Sequence, residues 1–190
     1  MTVHPDRAAL FVVDVQNDFL EGGALAVPRG NEVIEPINQL MPRFRHVWAS
    51  KDWHPSQTVH FEKWPVHCVR GTHGARFPET LDVLHIQKVF LKGTGNSDDG
   101  YSAFEATNED LEFYLRKHHI DQLVVVGLAT DYCVLSTALD AARLGFETFV
   151  VREAVRAVNL QPDDETQAFE QMRAAGVHLL HMSDILNLQT

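Results

Sequence analysis

Cysteine is scarce in this chain. Cys68 and Cys133 are its only two, too few for a disulfide framework. Each is therefore expected to be either a small buried hydrophobe or a reactive thiol. Long hydrophobic runs are missing too. The longest, such as LVVVGLA, fall far short of the roughly eighteen residues that cross a bilayer, so no membrane span is expected. The opening MTVHPDRAAL has no basic segment leading into an apolar one, so it does not read as a signal peptide, and the cytoplasm is the expected compartment. Basic side chains are in deficit: 16 Lys and Arg face 26 Asp and Glu, a net charge of −10. Nucleic-acid affinity rests on neutralising phosphates with Lys and Arg, so this balance argues against a nucleic-acid partner and leaves a small neutral or cationic ligand. Repeats, linkers and low-complexity tracts are absent, and 190 residues suffice to bury a real core. A single domain over residues 1–190 is expected, with the number of subunits left open and a homo-oligomer not decided by the sequence.

What is present is an alternation. ALFVVD, HVWASKD, KVFLKG, QLVVVG, ETFVVRE and VHLLHM read as strands. Between them NEVIEPINQLMPRF, NEDLEFYLRKHHI, CVLSTALDAARLG and PDDETQAFEQMRAAG place apolar residues at helical spacing, with Gly145 and Gly176 as helix ends and Pro36 as a break in the first pattern. Strands alternating with helices predict an α/β fold with a mainly parallel sheet covered on both faces. Two segments escape the alternation: residues 54–84, rich in Pro, His and Gly, and GTGNSDDGYSAF after KVFLK. Both follow strand ends, where ligands of parallel sheets bind.

Polar residues at those strand ends carry the chemistry. Asp14 ends ALFVVD, Lys92 ends KVFLK, and Cys133 opens a helical pattern just after QLVVVG. A thiol of ordinary pKa, about 8.5, is mostly protonated at neutral pH. A neighbouring carboxylate can remove its proton, and an ammonium or helix N-terminus can stabilise the thiolate. Taken singly, each residue is better explained as a cap, a solvated lysine or a packed cysteine; the set of three reverses that. Asp18 is a second candidate base, and the strand-end position favours Asp14. In KDWHPSQTVH, Asp52 and His54 offer an oxygen and a nitrogen suited to Zn(II), Fe(II) or Mn(II), with His60 and His67 nearby to complete a site. His4, His118, His119, His178 and His181 lack such surroundings and are assigned to the surface.

Taken in order, VVDVQNDF, KDWHPSQTVHF, WPVHCVRGT, FLKG and VVGLATDYCV resemble the isochorismatase-like cysteine hydrolases, and within them the nicotinamidases, also called pyrazinamidases. The resemblance runs from about Ala9 to Val151. It implies a three-layer α/β/α fold and a catalytic triad of Asp14, Lys92 and Cys133. Metal ligands at Asp52, His54 and His67 are also implied, with His60 at a position that is a ligand in some members only. It further implies an oxyanion hole at the Ala129 and Cys133 amides, a cis peptide between Leu128 and Ala129, and a pocket lined by Phe19, Trp64 and Tyr101. The implied activity is hydrolysis of nicotinamide to nicotinate and ammonia in NAD salvage, with pyrazinamide as a further substrate and one divalent transition metal ion as cofactor. Isochorismatases proper lack the cysteine, and carbamoyl-amide hydrolases generally lack the metal ligands. Three other readings stay open at this point. One is a cysteine amidohydrolase for another small carboxamide. Another is a hydrolase that uses metal-activated water with a structural Cys133. The third is a non-catalytic binder of a pyridine- or pterin-like ligand.

Overall fold

The apolar runs fold as six strands: β1 (Ala8–Val13), β2 (His46–Asp52), β3 (Lys88–Lys92), β4 (Gln122–Leu128), β5 (Glu147–Arg156) and β6 (His178–Leu180). The computed structural model describes residues 2–188, so the expected domain limits at residues 1 and 190 lie outside the described residues. All pairings are parallel, in the order β3-β2-β1-β4-β5-β6. Strands β1 and β4 are fully buried, as strands covered on both faces must be.

Alternate residues of these strands feed two cores. Leu10, Val12, Val124 and Val126 point to a layer with α1 (Ile34–Leu40) and α5 (Met182–Leu186). Ala9, Phe11, Leu123 and Val125 point to the opposite layer, with α2 (Leu111–Lys117), α3 (Leu135–Arg143) and α4 (Asp164–Ala174). The expected three-layer α/β/α arrangement follows from this period of two. Gly145 and Gly176 lie just beyond α3 and α4 with φ of 88° and 86°, the left-handed geometry that ends a helix.

Several boundaries differ from expectation. The pattern around Pro36 is helical in three pieces, with tight turns at Gly30–Val33 and Met41–Arg43 flanking α1. Pro36 falls in the first turn of α1, where its missing N–H has no helical acceptor to lose. Helix α5 follows β6 directly and was not foreseen, because five residues are too few to display a helical period. Cys133 does not open an α-helix. It lies in a π-helical turn, Thr130–Val134, closed by the Val134 N–H on the Ala129 carbonyl, and α3 begins only at Leu135. Such turns cluster at functional sites.

The sheet order reverses between β1 and β4. The chain leaves their C-terminal ends in opposite directions, which leaves a crevice beyond them, the usual ligand position in an open parallel sheet.

Candidate active site

Four strand ends deliver the polar residues. Asp14 follows β1 in a left-handed conformation (φ 49°), and Ser50 of β2 donates to its Oδ1 at 2.8 Å. Asp52 and Lys92 close β2 and β3 as register partners. The Lys92 ammonium, fully buried, lies 2.7 Å from Asp14 Oδ2 and 3.3 Å from Cys133 Sγ, donates to the Gly100 carbonyl at 2.7 Å, and contacts Asp52 Oδ1. One acceptor oxygen each from Asp14 and Asp52, together with Cys133 Sγ, lie within 4.8 Å of one another. The three residues expected to act together are thus brought together. Asp18 is not. Its carboxylate accepts from the Cys68 N–H at 2.7 Å and the Ala24 N–H at 3.3 Å, so it fastens loops.

The electrostatics follow from enclosing two carboxylates, one ammonium and one thiol away from water. Burial pushes the Cys133 thiol well above its ordinary range, with Lys92 pulling the other way. Burial likewise raises Asp14, which Lys92 and Ser50 only partly offset. Burial works against the ionised Asp52 as well, but Lys92 and the His54 and His67 rings hold it well below the usual carboxylate range. Lys92 itself stays charged: burial opposes it, and the two carboxylates raise it well above an ordinary lysine. Cys68, the other thiol, is buried beside Gly74 and pushed far up by that burial, so it takes the packed-hydrophobe role.

Beside this cluster three histidines converge. His54, His60 and His67 are all buried, and one nitrogen from each falls within 4.8 Å of the others. Each Nδ1 is engaged: His54 donates to the Gly93 carbonyl at 2.8 Å, His67 to the Pro65 carbonyl at 2.7 Å, and His60 to Asp98 Oδ1 at 2.8 Å. That leaves the Nε2 atoms as the free acceptors. Those of His54 and His67 stand 3.4 and 3.7 Å from Asp52 Oδ2. His54 Nε2 is buried with no hydrogen-bond partner. An orphaned imidazole nitrogen among two others and a carboxylate, each ring held from behind, fits a divalent transition metal. His60, expected with less weight than the rest, sits in this cluster as fully as the other two.

Polar residues of VVDVQNDF hold the loop that carries His67. Gln16, wholly buried, donates to the Asp52 and Ala75 carbonyls at 2.8 and 3.1 Å and accepts from the Asp52 N–H at 2.8 Å. Asn17 donates to the His73 carbonyl at 2.9 Å. Sequence reasoning saw only the carboxylates of this motif, although a Gln-Asn pair after a buried strand signals backbone bracing. The remaining histidines fall mostly outside: His4, His119 and His181 are exposed, while His118 packs on Tyr114 and Trp48 and His178 on Phe149.

The cluster opens into a pocket. Phe19, Trp64 and Tyr101 line it as expected, and the Phe19 ring lies 5.4 Å from that of His67. Tyr132, Leu128 and Val158 also line it and were missed. Tyr132 meets Trp64 edge-on at 5.1 Å, and its adjacency to Cys133 was the available signal. Val158 is placed by Asp131, whose carboxylate accepts from the Val158 and Asn159 N–H groups at 2.9 Å each. Ala129 lines the floor, preceded by a cis peptide from Leu128.

Comparison with known proteins gives concordant matches. Residues 8–184 match the isochorismatase domain family. A nicotinamidase of Escherichia coli is 41% identical over 95% of this chain and 97% of its own. The solved structure of a Pyrococcus horikoshii pyrazinamidase in complex with zinc is 37% identical, with a TM-score of 0.82 over 92% of this chain and 99% of that one. PnC1 from L. infantum, solved in complex with nicotinate, is 33% identical, with a TM-score of 0.90 over 97% of both chains.

Proposed function

Since the chain belongs to the isochorismatase family, we propose that it is a nicotinamidase, hydrolysing nicotinamide to nicotinate and ammonia through a thioester on Cys133 and serving NAD salvage. The observation that carries this reading is the buried Asp14–Lys92–Cys133 cluster standing beside three inward-facing imidazoles at one pocket. Asp14 takes the thiol proton as sulfur attacks the carboxamide carbon, and Lys92 offsets the charge left on sulfur. The oxyanion is received by the Ala129 and Cys133 amides. Asp14 returns the proton to the departing ammonia, then accepts one from the water that cleaves the thioester and passes it to the departing Cys133 sulfur, which restores the thiol. Phe19, Trp64, Tyr101 and Tyr132 flank the flat pyridine ring.

Asp52, His54, His60 and His67 would hold one divalent ion, and this donor set suits Zn(II), Fe(II) or Mn(II). When bound, it supplies an electrophilic anchor for the ring nitrogen, a templating role. The zinc complex of the P. horikoshii relative and the nicotinate complex of the L. infantum relative support both halves of this assignment. Pyrazinamide, with one further ring nitrogen, fits the same description and is a second substrate.

Ammonia release from nicotinamide by the purified protein tests the reading, with nicotinate as co-product. Cys133→Ala is expected to lower kcat by roughly 10³-fold or more while leaving the fold intact. Turnover that survives this substitution assigns the chemistry to metal-activated water. Cleavage of another carboxamide, with nicotinamide inert, retains the triad and removes the substrate.

A further inference from the structure

His60 differs from its two neighbours in what stands behind its ring. His54 and His67 are held by backbone carbonyls, whereas His60 is held by a side chain, Asp98, from the loop after β3. That carboxylate is divided between two tasks. Oδ1 turns inward and accepts from His60 Nδ1 and from the Tyr101 hydroxyl, both at 2.8 Å. Oδ2 turns outward to Lys63 at 3.2 Å, an ion pair largely exposed to water. The Tyr101 hydroxyl in turn accepts from Trp64 Nε1 at 3.0 Å, so the same oxygen steadies two aromatic walls of the pocket. A second tie joins the two loops, from the Val59 N–H to Asn96 Oδ1 at 2.8 Å. The His60 ring lies stacked on His54, 4.6 Å between centroids at 24°, and with Nδ1 donating to Asp98 it is Nε2 that carries the free lone pair.

We propose that Asp98 is a positioning residue, whose Oδ1 fixes the orientation and tautomer of His60 so that Nε2 is presented as the third imidazole donor. This rests on the metal reading given above. The plainer alternative is that Asp98 is half of a surface ion pair with Lys63, and such pairs contribute little. The inward pair of bonds on Oδ1 argues for the positioning role, because ligating imidazoles are oriented through their second nitrogen and loss of that partner weakens metal binding.

The test uses the full-length protein loaded with Zn(II), its affinity measured by competition with a chromogenic chelator, and the visible spectrum of the Co(II)-loaded form. Asp98→Ala is expected to weaken Zn(II) binding by roughly 10- to 100-fold and to alter the Co(II) bands. Asp98→Asn, whose side-chain oxygen still accepts from Nδ1–H, recovers most of that loss, and Lys63→Ala stays within about twofold of the parent. Should the alanine variant lose its circular-dichroism spectrum, Asp98→Ser, too short to reach His60, takes its place with the same expectation. Parental affinity and an unchanged Co(II) spectrum in the alanine or serine variant overturn the proposal, as does an equal loss in Lys63→Ala. If the parent takes up no Zn(II), or His54→Ala binds it as tightly as the parent, the metal reading itself falls and takes this inference with it.

Discussion

Asp14 shares its enclosure with one ammonium, one carboxylate and one thiol, and each neighbour affects when it can act. As the base it works only when ionised. Burial favours its protonated form, and the offsetting contributions of Lys92 and Ser50 do not restore the ordinary value of about 3.9. With the proton held more tightly, kcat/KM for nicotinamide is full above the raised value and lost as pH falls through it. The acid limb therefore lies at higher pH than an ordinary carboxylate gives, and the pH profile of kcat/KM measures it. Ser50→Ala removes a hydrogen bond that favours the ionised form and is expected to move the limb further upward. A limb unmoved by that substitution belongs to another group.

Between residues and fold lie the loop anchors, and Gly93 is the clearest. It has a φ of 61°, its carbonyl holds His54, and a Cβ there would stand 2.5 Å from His54 Cε1. Gly93→Ala is expected to leave the sheet intact but weaken metal affinity roughly tenfold or more, read by chelator competition beside an unchanged circular-dichroism spectrum. The elements carrying this site were legible in unequal measure. Strands β1 to β5 stood out as apolar runs and helices α1 to α4 by their helical spacing, so the ends bearing Asp14, Asp52 and Lys92 could be located. The loops could not be traced, because they are held by single polar contacts with no period: Gln16 on Ala75, Asp18 on Cys68, Asp98 on His60. The convergence of His54, His60 and His67 depends on those contacts, and therefore on residues that a search for ligands passes over. The π-helical turn around Cys133 was hidden for a related reason, since TDYCV runs without a break into a good helical pattern.

For the whole molecule, the proposed metal centre and the thiol chemistry share Asp52 but are otherwise built from different side chains, and chelation should affect them unequally. An ion that binds the folded chain alone stabilises it by about 2.7 kcal/mol at a hundredfold excess over Kd, so stripping it is expected to lower Tm. Because Asp14, Lys92 and Cys133 are not among the proposed ligands, the stripped protein should lose in KM more than in kcat, and steady-state kinetics with re-addition of Zn(II), Fe(II) or Mn(II) checks this. No helix among the described residues is long and apolar enough to cross a membrane. The sheet is made of two consecutive halves, β3-β2-β1 and β4-β5-β6, that meet along one seam. The first half brings the carboxylates, the ammonium and every histidine of the cluster; the second brings the sulfur and the amides beside it. At that seam Gly127 pairs with Val13, and a Cβ on Gly127 would stand 2.2 Å from the Val13 carbonyl. The bare glycine thus works as a spacer of zero thickness, letting the two half-sheets meet backbone to backbone one residue before Asp14.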